Sequence, residues 1–155
     1  MQKILIATDG SPAAREAVEF GIELAREHDA EAIFTHVIPA YDVVPTTLSF
    51  GVTGALPHEP CAADREPLEE AVSLAEEQGV PATSALLIGD PVDEIVAYAD
   101  SIDADVLVLG SRGHGAIASA LLGSVSRGVL HETRRRVLVV RGTEAGVEAP
   151  VASVS

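Results

Sequence analysis

Asp105-Val106-Leu107-Val108-Leu109-Gly110-Ser111-Arg112-Gly113, followed after nine residues by Gly123-Ser124, is the stretch that decides how this chain reads. Its apolar run, Val106 to Leu109, lies between an aspartate and a glycine. A run so short, rich in β-branched residues and lacking an alternating polar face, is a strand covered on both sides. Such strands belong to parallel sheets, whose crossover helices cover both faces. Gly110 and Gly113 then punctuate a loop, and Gly123-Ser124 opens a segment with helical spacing as far as Thr133. A strand, a glycine loop and a helix N-terminus can hold phosphate, because glycine lets the backbone approach an anion and the helix start offers unpaired N–H groups. The same residues have a plainer reading, in which the glycines only turn the chain and Ser124 caps the helix. Neither G-x-x-x-x-G-K-[ST] nor G-x-G-x-x-G is present, and the only lysine is Lys3.

Outward from this stretch the chain alternates strand and helix. Lys3 to Thr8 is an apolar strand, and Asp9-Gly10-Ser11-Pro12 turns it into a helix with Ser11 as cap and Pro12 in the first turn. Ala14, Ala17, Val18, Gly21, Ile22 and Ala25 recur at three- and four-residue steps, opposite Arg15, Glu16, Glu19, Glu23, Arg26 and Glu27. Ala32 to Val37 is a second strand. From Ile38 to Pro67 no period holds and prolines recur, which predicts a functional lid or a mobile segment. Pro67 to Gln78 is helical and stops at Gly79, Ala82 to Ile88 is a weaker strand, and Asp90-Pro91 caps and starts another helix. Val137 to Val140 is the last strand, and residues 142–155 read as a disordered tail of small residues. This alternation predicts an α/β fold, a single doubly wound domain with helices on both faces of a parallel sheet. Ligands in such sheets sit beyond the carboxyl ends of the strands, where strand order reverses. Ala7, Thr8, Asp9, Val37, Leu109 and Gly110 all stand at strand carboxyl ends.

Composition narrows the function further. The 155 residues carry 47% apolar but only 3% aromatic side chains, so the core is aliphatic. Ten basic against 24 acidic residues give a formal charge of −14. That field repels nucleic-acid backbones and anionic membranes, so neither is expected as a partner. One lysine among so many acids is consistent with a salt-adapted surface or with an ordinary acidic one. Cys61 is alone, which excludes an internal disulfide and a multi-cysteine zinc site. His28, His58 and His131 have no ligand spacing, and His36 alternates away from the site face, so no metal site is expected. The opening residues enter a strand without a charged-then-apolar leader, and no apolar run nears 18 residues, which leads us to expect a cytoplasmic protein.

The glycine segment resembles the ATP-binding branch of the universal stress protein family, whose pattern is Gly-x2-Gly-x9-Gly-[Ser/Thr]. Gly110, Gly113, Gly123 and Ser124 fall on it without a gap. The opening Ile4 to Ser11 and the closing Val137 to Arg141 are similar to that family's first and last strands, so the likeness spans residues 1 to 141. The resemblance implies a five-stranded sheet of order 3-2-1-4-5, with the switch between the first strand and the Val106 strand. It implies ATP, with or without Mg2+, as the bound cofactor. Position by position, Asp9 would take the ribose hydroxyls and the backbone of Val37 the adenine edge. Gly110 would pass beneath the ribose. Gly113, Gly123, Ser124, Val125 and Ser126 would hold phosphates, with Arg112 adding charge. It also implies a homodimer paired through the last strand. No placed base, lysine or charge clamp marks a fast phosphotransferase. The expected role is therefore regulatory adenine-nucleotide binding, beside two alternatives: a weak ATPase or phosphotransferase using Ser124 or Ser126, and a nucleotide-free interaction module.

Overall fold

The computed structural model describes residues 1–44, 54–111 and 122–142. Five parallel strands form the sheet: β1 (Lys3–Ala7), β2 (Glu31–Ile38), β5 (Ala82–Ile88), β6 (Val106–Gly110) and β7 (Arg136–Val140). They lie in the order β5-β2-β1-β6-β7, which is 3-2-1-4-5 when the sheet strands alone are counted along the chain. Helices α1 (Pro12–Glu27) and α2 (Ala62–Glu77) cover one face, and α3 (Pro91–Ser101) and α4 (Ser124–Glu132) cover the other.

The pleat divides the apolar strand residues between two cores. Ile4, Ile6, Phe34, Val106 and Val108 pack with Ala17, Val18, Ile22, Leu68, Ala71 and Ala75 from α1 and α2. Leu5, Ile33, Leu107 and Leu109 point the other way, onto Ile95, Ala99 and Val129 from α3 and α4. Successive residues of a strand face opposite sides, so an uninterrupted apolar run is what a doubly covered sheet requires. The α1 stripe is buried as its spacing predicts, with Ser11 Oγ accepting from the Ala14 N–H at 3.2 Å. Gly21 belongs to that stripe for a steric reason. A Cβ there would stand 2.5 Å from Ile6 Cδ1, so only glycine lets α1 lie this close to β1. Asp90 caps α3 by accepting from the Asp93 N–H at 3.1 Å.

The stretch from Ile38 to Pro67 differs from expectation. Its described part contains an antiparallel hairpin, β3 (Tyr41–Val44) paired with β4 (Gly54–Pro57) in the register Tyr41↔Pro57 to Val44↔Gly54. The reading of this stretch as a loop without a period is corrected there. Four-residue strands are too short to display a period of two, and a proline at the end of β4 argues against a strand in sequence. Helix α2 also starts at Ala62 rather than at Pro67. A proline lacks the N–H for the helical ladder, so it reads as a start. Here Pro67 lies just past the first turn, and a Cβ on Gly10 would meet its Cγ at 3.1 Å. Gly10 takes φ +78°, so both the turn after β1 and the approach of α2 call for glycine. The residues read as a tail, apart from Gly142, lie outside the described residues.

Candidate functional site

The β1–β6 ladder runs Ile4↔Val106, Leu5↔Leu107 and Ile6↔Val108, and then stops. On its outer sides each strand stays paired for longer. β1 pairs with β2 through Ala7↔Thr35, and the Thr8 N–H donates to the Thr35 carbonyl at 2.9 Å. β6 pairs with β7 through Gly110↔Val140, and the Ser111 N–H donates to the Val140 carbonyl at 2.8 Å. The two central strands therefore part beyond Ile6 and Val108 while their outer neighbours hold them. That is how a crevice forms at a switch point.

Of the residues singled out in the sequence, Ala7, Val37 and Leu109 stand at or near the carboxyl ends of β1, β2 and β6. Ala7, Val37, Leu109 and Val125 all pack with the core on the α3–α4 face. Thr8 is buried, and its Oγ1 accepts from the Gly10 N–H at 3.2 Å. Asp9 Oδ1 accepts from the Ser11 N–H at 2.9 Å, so one carboxylate oxygen shapes the turn into α1. Turn-capping and ligand roles for Asp9 are therefore compatible, since a carboxylate has several acceptor positions.

The helix N-terminus is fastened to the end of β6 by two hydrogen bonds. The Gly123 N–H donates to the Ser111 carbonyl and Ser126 Oγ donates to the Gly110 carbonyl, both at 2.6 Å. Ser124, expected as a possible cap, instead occupies the first helical position, and the cap is Gly123. Glycine has no side-chain acceptor, so the N-cap residue itself offers no side chain to the first-turn N–H groups of α4. A helix of nine residues that begins at a glycine cap carries at its start the partial positive charge that favours an anion. Ser126 is buried and its hydroxyl proton is committed to Gly110, so what it can offer an anion is its main-chain N–H. Arg112 and Gly113 lie outside the described residues.

A second polar cluster was not legible in the sequence. The His58 ring bridges Asp42 of β3 and Asp64 of α2, at 2.7 Å and 2.9 Å. These residues share no helical or strand spacing, so only the folded chain brings them together. The Cys61 N–H, joined by His58, holds the Asp64 carboxyl down at about 2. His36 is structural, as its alternation suggests: Nδ1 meets the Asp64 carbonyl oxygen at 2.9 Å on the α2 side. Among the described residues, no group of three or more His, Cys, Asp or Glu is placed to hold a metal ion, and no helix is long and apolar enough to cross a membrane.

Sheet order and doubly covered strands together define a doubly wound α/β protein. Residues 1–141 match the model of the universal stress protein family, and the chain belongs to that family. A universal stress protein of Methanocaldococcus jannaschii is 35% identical over 142 residues, which covers 90% of this chain and 82% of that protein. Among solved structures, a universal stress protein in complex with cAMP superposes with a TM-score of 0.68 at 28% identity, covering 92% of this chain and 98% of that one. The universal stress protein of Archaeoglobus fulgidus in complex with dAMP superposes with a TM-score of 0.65 at 25% identity, covering 90% and 97%.

Proposed function

We propose that residues 1–141 form an adenine-nucleotide-binding regulatory module, with ATP, accompanied or not by Mg2+, in the crevice between β1 and β6. The observation that carries this reading is the parting of β1 and β6 beyond Ile6 and Val108, with the glycine-capped start of α4 hydrogen-bonded to the end of β6. Its donor chemistry suits a phosphate chain, since main-chain N–H groups of Ser124, Val125 and Ser126 recognise anions without a lysine. Asp9 would take the ribose hydroxyls, and the backbone of Val37 the adenine edge. Gly110 would lie beneath the sugar, and Gly113 and Gly123 would let the loop close on the phosphates. The complexes of two relatives with cAMP and dAMP support an adenosine ligand. The expected role is sensing or storing nucleotide rather than turning it over.

Isothermal titration of the protein with ATP, AMP, cAMP and adenosine tests this. ATP is expected to bind more tightly than adenosine, by the worth of its phosphate contacts at α4. Gly123→Val, which puts a branched side chain where the phosphates would approach, should abolish ATP binding. Equal affinity for ATP and adenosine would overturn the phosphate site. Unchanged ATP affinity in Gly123→Val would remove the site from the start of α4.

A further inference from the structure

His58 stands in the four-residue link, 58–61, between the β3–β4 hairpin and α2. It follows β4 directly, and its main-chain N–H donates to the Ala40 carbonyl at 2.9 Å, just before β3. Its Nδ1 lies 2.7 Å and 2.9 Å from the two carboxylate oxygens of Asp42, and its Nε2 lies 2.9 Å from Asp64 Oδ2. An ionised carboxylate only accepts hydrogen bonds, and a neutral imidazole has a single N–H. Both contacts are therefore hydrogen bonds only when the ring carries two protons. A neutral ring must turn a lone pair toward one of the carboxylates.

We propose that His58 is a proton-operated latch fastening the β3–β4 hairpin to the N-terminus of α2, closed while the ring is doubly protonated and open on the Asp42 side once it is neutral. The direction of opening follows from the surroundings. Asp64 and His58 are 16% and 17% exposed, whereas Asp42 is 51% exposed. Asp64 Oδ2 is also fixed by the Cys61 N–H at 2.9 Å, and its carbonyl meets His36 on β2. The remaining ring proton therefore stays on Nε2, toward the sheltered and immobilised carboxylate, and β3 loses its tie.

The titratable and charged groups around the ring are Asp42 from β3, Asp64 and the Cys61 thiol at the start of α2, Glu59 beside it in the chain, Arg65 and Glu66 one and two residues past Asp64, and His36 from β2. Hydrogen bonds to Asp64, then to Asp42, raise the proton affinity of His58 above its ordinary value. A raised histidine contributes its full docking stability below the unfolded value of about 6.5 and loses it as pH climbs through the folded value. Asp64, held at about 2, stays ionised throughout that range. The hairpin begins three residues past the carboxyl end of β2. Protonation thus controls order at the same end of the sheet as the crevice, whether or not nucleotide binds there.

Nitrogen-15 NMR of the His58 ring and amide hydrogen exchange in Tyr41–Val44 and Gly54–Pro57, both on the full chain from about pH 5.5 to about 9, test the latch. Exchange is expressed as protection relative to intrinsic rates. The ring should titrate above the ordinary histidine value and pass into the Nε2–H tautomer. Hairpin protection should fall over the same range, by the same factor as docking raises the ring's proton affinity. Asp42→Asn, at an exposed position, should bring the ring midpoint back toward about 6.5, and His58→Gln should leave hairpin protection independent of pH. The proposal is overturned by a ring midpoint at or below the ordinary value, by the Nδ1–H tautomer, or by hairpin protection that is unchanged while the ring titrates.

Discussion

Gly128 stands in the middle of α4 against Val92 in the first turn of α3, and replacing it with alanine measures how tightly these helices are set. A Cβ at this position would lie 2.6 Å from Val92 Cγ2, 3.2 Å from Cγ1 and 3.4 Å from Cβ. Two effects oppose each other. Alanine in a helix interior is favoured over glycine by about 1 kcal/mol. Inserting a methyl into a filled contact costs about 1–3 kcal/mol. Turning the Val92 methyls aside gives little relief, because valine in a helix strongly prefers one χ1 rotamer. Moving α4 instead would strain the Gly123–Ser111 and Ser126–Gly110 hydrogen bonds at its start. The collision therefore wins, and Gly128→Ala should destabilise the protein by up to about 2 kcal/mol. In a domain of this size each kcal/mol lowers the Tm by about 2–4 °C. Val92→Ala removes the two closest atoms and leaves the third at an ordinary distance. In the double variant the helix-forming gain of alanine should reappear, giving a favourable coupling of about 1–3 kcal/mol in a double-mutant cycle read by urea unfolding. Additivity within about 0.5 kcal/mol would refute the steric account. So would a Gly128→Ala protein stabilised by the full helical preference.

Asp105 accepts from the Gln2 N–H at 2.7 Å and the Lys3 N–H at 2.9 Å, which hold its carboxyl below the usual range. Asp105→Asn should cost about 1–3 kcal/mol at neutral pH. A lowered carboxyl contributes above its unfolded value of about 3.9 and loses that contribution as pH falls through the folded value. The gap between parent and variant in urea unfolding should therefore close in acid, and a gap constant down to about pH 2 would count against the assignment. β7 lies at the sheet edge with Leu138 38% exposed, as expected of a strand that pairs with a second copy. Light scattering should give a dimeric mass for the parent and a monomeric one for Val139→Pro, and a monomeric parent would dismiss the dimer. The charge of −14 predicts a higher Tm in molar potassium chloride, because the screening length falls from about 30 Å at 0.01 M to about 3 Å at 1 M salt. Arg15, paired with both Glu19 and Glu70, works the other way, and an unchanged or lower Tm would show that such pairs dominate.

The Val106 to Leu109 run, the α1 stripe and the cap-then-proline starts at Ser11 and Asp90 are legible in the sequence because each is local. A doubly buried strand has to be apolar throughout, a surface helix has to repeat its apolar positions, and a helix start has to satisfy its N–H groups within a turn. The hairpin and the true start of α2 are obscured because their evidence is not local. Pro67 looks like a first-turn proline unless one knows that its ring rests against Gly10. The cap of α4 is misread for a related reason. Ser124 is a better cap by residue type, yet Gly123 takes that place because its N–H is drawn to the Ser111 carbonyl.

What the sequence by itself determined is the alternation of strand and helix, the aliphatic two-sided core and the carboxyl-end positions of Ala7, Thr8, Asp9, Val37, Leu109 and Gly110. Periodicity, propensity and capping act over a few residues, and a chain read in order displays them. Only the tertiary structure decided that β1 and β6 part beyond Ile6 and Val108, that Ser126 spends its hydroxyl on Gly110, and that His58 stands between Asp42 and Asp64. Each of these depends on whether groups from different elements come within hydrogen-bonding range. That range is about 3 Å, and sequence spacing does not encode it.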